Sequence, residues 1–326
     1  MIRLYLLPKS DFLLFLSLLV ICLLSGCEKD LPVQQGECFN IPPSDHAFGY
    51  ERKGPSLNYA NPCFNPHDNN QIVVIRVRNN PSLIKYNLKT NETTQVFDGT
   101  VYYQPDWGAN GWITFNSVNN QIWIVRPDGS GLKKITDDKH WYLYPKWVTN
   151  SNKILFRQKD ETPYPELRII DKGGSLNAIL DSTFGWVAVW SPDGQTIAFP
   201  YGQRFGYVNL KSDSQTIHYI ESDYQMKRGF SPYSISWFPN SEQLVTCDRD
   251  GNMYMVNIQS ESIQKIKNAC DSKSYSYPSV SPDGNKIIIK RTDKKLTGEN
   301  TLYSASKIVL MNADGSNERV ILPEEE

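Results

Sequence analysis

The sequence lacks a surplus of charge of either sign. Lys and Arg number 34 against 35 Asp and Glu, a formal net charge of −1, with no long run of one sign. That excludes the basic stripe on which nucleic-acid binders depend. Histidine is scarce: the chain has four, His46, His67, His140 and His218. A G-x-S-x-G elbow, an H-E-x-x-H pair, a P-loop and a dinucleotide fingerprint are all missing, which removes the motif-borne routes to hydrolytic and nucleotide chemistry. The acidic pairs Asp137/Asp138 and Asp248/Asp250 read as loop carboxylates in water, because general acid–base work needs two carboxyls facing one substrate atom. No cofactor and no metal is expected. What is present is 12% aromatic residues with 20 Gly and 20 Pro, a composition suited to many short strands joined by tight turns and too apolar for disorder.

The one long apolar run, Phe12 to Gly26, follows Arg3 and Lys9 and is too short for a comfortable membrane span. It ends in Leu24-Ser25-Gly26-Cys27, which resembles the lipobox of a bacterial lipoprotein signal: an apolar residue, two small ones, then the cysteine that receives lipid. The resemblance implies removal of residues 1–26, lipidation of Cys27, and a cell-envelope location tethered by acyl chains, with the outer membrane, periplasmic or surface-exposed, as the expected site. Glu28, Lys29 and Asp30 resemble the charged tract that directs some lipoproteins to the cell surface. Residues 27–59 then form a tether and lead segment.

Cys38, Cys63, Cys247 and Cys270 remain for an oxidising compartment, where disulfides persist. Four cysteines allow three pairings. The blade register described next places Cys247 and Cys270 on one face, so we expect that pair, with Cys38 joined to Cys63.

Residues 60–326 repeat. "WSPDGQTIAF" (Trp190 to Phe199) and "VSPDGNKIII" (Val280 to Ile289) are two copies of one strand-turn-strand phrase. Aligned on the position of Trp190, the anchors are Phe64, Trp107, Trp147, Trp190, Trp237 and Val280, at intervals of 43, 40, 43, 47 and 43 residues. Each anchor hairpin is followed by a second one, as in "QIWIVRPDGSGLKKIT" (Gln121 to Thr136). Four strands, A to D, per unit of that length predict an all-β fold, a six-bladed β-propeller of four-stranded antiparallel blades. In Ser-Pro-Asp-Gly the proline presets φ and the glycine takes φ > 0, so these pairs predict hairpin turns rather than calcium loops, whose alternating oxygens and terminal acid are missing.

These phrases resemble the TolB-type, WD40-like propeller repeat over residues 60 to 322. The resemblance implies the fold and little of the function, since such rings occur in periplasmic TolB, in prolyl-oligopeptidase-like enzymes, in oligogalacturonate lyases and in many envelope lipoproteins. The expected role is non-catalytic binding of an envelope protein segment or glycan; the alternative is a carbohydrate-active enzyme of the oligogalacturonate-lyase kind. The D–A loops are rich in aromatics and the B–C loops in arginine, a binding hot-spot composition. That directs attention to the D–A/B–C face, with Trp141, Tyr142, Trp186, Arg204, Tyr103 and Arg157 as candidate anchors. The opposite face, built from short Asp-Gly turns, is expected to offer little contact area.

Overall fold

The computed structural model describes residues 56–57, 59–77, 81–159, 166–180, 187–211, 216–221, 229–270, 272–297 and 301–322. Cys27, Cys38, His46 and Trp186 lie outside these residues. Six sheets follow one another along the chain: β2–β5 (Tyr59–Asp98), β6–β9 (Asp106–Lys134), β10–β13 (Trp141–Leu180), β14–β17 (Val189–Ile220), β18–β21 (Phe230–Lys267) and β22–β25 (Lys273–Leu322). Each is a meander in which neighbours in sequence pair antiparallel. This is the six-bladed propeller, and the inner strand of each blade carries one anchor residue.

The core is divided rather than single. Six clusters of buried side chains form, one at each contact between blades. The B strand β3 (Asp68–Arg76) shows why: its run Ile72-Val73-Val74-Ile75 is buried throughout. Successive strand residues face opposite sides, so Ile72 and Val74 join the blade 6–1 cluster while Val73 and Ile75 join the blade 1–2 cluster. A strand buried on both faces reads as a continuous apolar run instead of an alternation.

The Ser-Pro-Asp-Gly turns are wired internally. Ser191 Oγ donates to Asp193 Oδ1, Asp193 accepts the Gln195 amide at 3.0 Å, and Ser191 Oγ accepts the Thr196 amide at 2.9 Å. Ser281, Asp283, Asn285 and Lys286 repeat the arrangement. Gly194 and Gly284 both sit at φ 75°, the left-handed conformation for which glycine is needed.

The ring closes through the start of the chain. The short strand β1 (Ser56–Leu57) lies parallel to β24 (Thr301–Asn312), with Ser56 opposite Ala305 and Leu57 opposite Ser306. Ser306 Oγ then donates to Tyr59 O at 3.1 Å, stitching blade 6 to the first residue of blade 1.

Candidate functional site

Where the A strands end, residues from all six blades surround a cavity of about 370 Å³ on the ring axis. Its wall includes Trp107, Trp147, Trp190 and Trp237, and its rim includes Pro66, Ala109, Pro192, Pro239 and Pro282 from the A–B turns. This funnel opens on the face expected to offer little contact area, and that expectation is corrected: short turns leave the axis uncovered.

The floor is polar. Asn61, Tyr144 and Tyr277 have φ of 51°, 54° and 58°, each precedes a proline, and each coincides with a register slip in its A strand. These bulges bend the inner strands. Gln104 Nε2 donates to Pro62 O at 2.8 Å and to Pro278 O at 3.3 Å, so one buried side chain of blade 2 bridges blades 1 and 6. Lys146 Nζ approaches Gln104 Oε1 at 3.5 Å and Asp106 Oδ1 at 3.4 Å. Lys146 is itself buried, and the funnel therefore ends in a single ion pair within an otherwise uncharged lining.

The residue before each anchor explains much of this geometry. These positions hold Cys63, Asp106, Lys146, Val189, Ser236 and Ser279. At four blade contacts that side chain accepts the anchor amide of the next blade. Trp107 N donates to Cys63 Sγ at 3.4 Å, Trp147 N to Asp106 Oδ2 at 2.7 Å, Val280 N to Ser236 Oγ at 3.0 Å and Phe64 N to Ser279 Oγ at 3.0 Å. Lys146 and Val189 cannot accept. On either side of blade 4 the connection comes instead from Thr149 Oγ1 to Ser191 O at 2.7 Å and from Trp237 Nε1 to Val189 O at 3.3 Å. Lys146 is thereby released to face the axis. Sequence reasoning missed this column, although a polar residue recurring at one strand position beside an anchor was a readable signal.

Cys63 lines the same funnel. Burial, with Asp106 adding to it, pushes its thiol up to about 11, so it is protonated at neutral pH and is a weak nucleophile. Neither Cys63 nor Cys247 is in a disulfide, and both are buried in blade-contact clusters. The expected Cys247–Cys270 and Cys38–Cys63 pairings are therefore corrected: both thiols are buried at blade contacts. Cys270 is disulfide-bonded.

On the D–A/B–C face the candidates separate. Trp141 opens β10 (Trp141–Trp147) and is 50% exposed, with Lys159 Nζ 5.4 Å from its ring centroid. Arg204 is exposed at the start of β16 (Arg204–Asn209), paired with Glu221 at 2.9 Å and 5.8 Å from the Tyr219 ring. Tyr103 packs its ring against Tyr144 at 4.4 Å. Tyr142 is not a surface platform: it is buried edge-on to Phe156, and its hydroxyl donates to Asp138 Oδ2 at 2.7 Å. Arg157 is also buried, and desolvation pulls its guanidinium down to about 10. Both were read as loop residues, but strand alternation turns them into the blade contacts. Trp186 lies outside the described residues.

The histidines are scattered. His67 Nε2 lies 2.9 Å from Ala109 O beside the funnel rim, and His218 stacks on Tyr207 at 5.0 Å in an outer strand. His140 follows the D strand of blade 2. Among the described residues, no group of three His, Cys, Asp or Glu side chains is placed to hold a metal ion.

No family model matches the chain. Over 111 residues it is 32% identical to an uncharacterized protein of Agrobacterium fabrum (strain C58), a stretch covering 29% of this chain and 38% of that protein. The chain thus spans well under two thirds of that relative's length. Among solved structures, a putative TolB from Agrobacterium tumefaciens superposes with a TM-score of 0.58 at 14% identity, covering 73% of this chain and 86% of that one. The fold is a TolB-type propeller. An oligogalacturonate lyase from Vibrio parahaemolyticus superposes with a TM-score of 0.50 at 13% identity, covering 71% and 73%. The TolB-type ring is thus shared between proteins of different names, and the likeness speaks for architecture.

Proposed function

We propose that the protein is a non-catalytic, lipid-anchored propeller of the cell envelope, whose axial funnel holds a segment of a partner protein. The observation that carries this reading is the funnel lining: four tryptophans and a ring of turn prolines around one buried Lys146–Asp106 pair. Buried aromatic walls with a single charge pair form the desolvated pocket into which a partner's anchor residue fits. The size suits a loop tip or chain terminus better than an extended glycan lying flat, since about 370 Å³ is near the lower end for ligand sites. The rim turns are held by their own Ser, Asp and Asn side chains, so little ordering entropy is lost on binding. The scatter of histidines and the lack of a converging donor trio among the described residues support a binding role over the lyase alternative. Envelope anchoring rests on Leu24-Ser25-Gly26-Cys27.

The experiment is capture of partners by the full chain from detergent-solubilised envelopes. A partner retained by the wild type should be lost with Lys146→Glu, and Cys27→Ser should move the protein into the soluble fraction. Turnover of a polyuronide, with or without a divalent metal, would defeat the non-catalytic reading. A Cys27→Ser variant that stays with membranes through detergent-free washes would defeat the anchor.

A further inference from the structure

Away from the ring axis, blades 2 and 3 do not close fully against one another. The D strand of blade 2, β9 (Lys133–Lys134), is two residues long, while the outer strands of the other blades have four to six. Beyond it the segment from Ile135 to His140 leaves a cavity of about 340 Å³ against blade 3. The apolar part of its lining is Ile135, Phe156 and Ile170; the polar part includes Asp138, Gln158 and Arg168. The lining is more polar than apolar, and the volume falls in the range of small-molecule sites.

The segment is held in place from behind. Gln121 is buried, and its Nε2 donates to Asp138 O at 3.1 Å and to His140 O at 2.9 Å. Asp138 in turn accepts the His140 amide on Oδ1 at 2.9 Å and the Tyr142 hydroxyl on Oδ2 at 2.7 Å. A ligand arriving here meets a preformed wall.

Charge in the cleft is cancelled locally except at Asp138. Asp137 pairs with Lys134, and Arg168 engages Glu166 through Nε and Nη2. A phosphate or carboxylate would need an uncompensated cation, which the lining does not supply, and a metal ion would need several uncompensated carboxylates, where the lining has Asp138 alone, held by the Tyr142 hydroxyl and the His140 amide. Hydrogen-bonding capacity does remain, because a carboxylate offers about four lone-pair sites and a guanidinium five N–H donors. Donors and acceptors with no free cation among them, set beside three apolar side chains, match a pyranose ring, whose hydroxyls donate and accept while its C–H face is apolar.

We propose that the cleft between blades 2 and 3 binds a neutral hexopyranose unit, at a site separate from the axial funnel. The test is saturation-transfer NMR and titration on the full chain in detergent. The probes are methyl glucoside, methyl galactoside, methyl mannoside and N-acetylglucosamine. At least one should bind, and Arg168→Ala and Asp138→Ala should each weaken it tenfold or more without loss of the folded state. The funnel variant Lys146→Met should leave the affinity within twofold of the wild type. Absence of binding by all four sugars, binding that persists in both cleft variants, or binding abolished by Lys146→Met would each overturn the proposal.

Discussion

The two faces of the ring spend their polar and aromatic groups in opposite ways. On the A–B/C–D face, Ser191, Asp193, Ser281 and Asp283 are consumed within their own turns, and the central residues Gln104, Asp106 and Lys146 are left to line a cavity. On the D–A/B–C face, aromatic and arginine residues that suggest a binding surface turn inward. Tyr142 and Tyr275 are buried with their hydroxyls on Asp138 and Glu318. Arg291 is tied to Asp293 and Glu318. Tyr142 and Tyr275, near the starts of their A strands, belong to blade contacts, and short turns are what expose the axis.

The comparison can be broken most strongly at two adjacent residues. Tyr142→Ala should cost about 3–4 kcal/mol, the range for emptying a buried aromatic site, whereas Trp141→Ala, at an exposed position, should stay within about 0.5 kcal/mol. Chemical denaturation of both variants checks this; similar losses would mean that Trp141 also packs between blades.

On the funnel side, Asp106→Ala leaves the Lys146 ammonium and the Trp147 amide without their acceptor. It should cost about 2–3 kcal/mol, because breaking a largely buried pair strands the remaining charge. Lys146→Met also strands a charge, but the Asp106 carboxylate is the more exposed partner and keeps the Trp147 amide, so it should cost less. Equal losses in the two variants would show that the pair is held for packing alone.

The blade 5–6 seam offers a pH test. Burial raises the Glu318 carboxyl, but hydrogen bonds from Arg291 and Lys267 outweigh it and hold the group below its ordinary value. A depressed folded-state pKa gives stability that is complete above the unfolded value and is lost as pH falls through the folded one. The wild-type advantage over Glu318→Gln in thermal midpoint should therefore be steady above about pH 5 and shrink below about 4.5. An advantage independent of pH from 7 to 3 would remove Glu318 from the account. Smaller losses belong to the inter-blade acceptors: Ser236→Ala and Ser279→Ala should each cost about 1 kcal/mol, the net worth of one hydrogen bond.

The blade register, the strand number and the turn chemistry were legible because they are local: the anchor spacing and the Pro-Asp-Gly phrases recur within short windows. Closure by β1 was not legible, since two residues pairing parallel to a strand some 250 positions away leave no periodic trace. The funnel was not legible for a related reason. Aromatic content in a loop is visible in the sequence, but which way strand alternation turns Tyr142 or Arg157 depends on where each strand begins. Bulges at Asn61, Tyr144 and Tyr277 shift that register inside the very strands that line the funnel. Cys63 and Cys247 suggested bridges in a chain expected to be exported; both sit in clusters of apolar side chains at blade contacts.

The central claim is that the funnel mouth is the working surface, and site-specific photocrosslinking in intact cells tests it most directly. A photoreactive residue in place of Ala109 or Pro239, exposed on blades 2 and 5 at opposite sides of the rim, should give one discrete adduct that disappears with Lys146→Glu. The same residue in place of Trp141 or Arg204 on the other face should give none. Adducts from Trp141 or Arg204, with none from Ala109 and Pro239, would contradict the account.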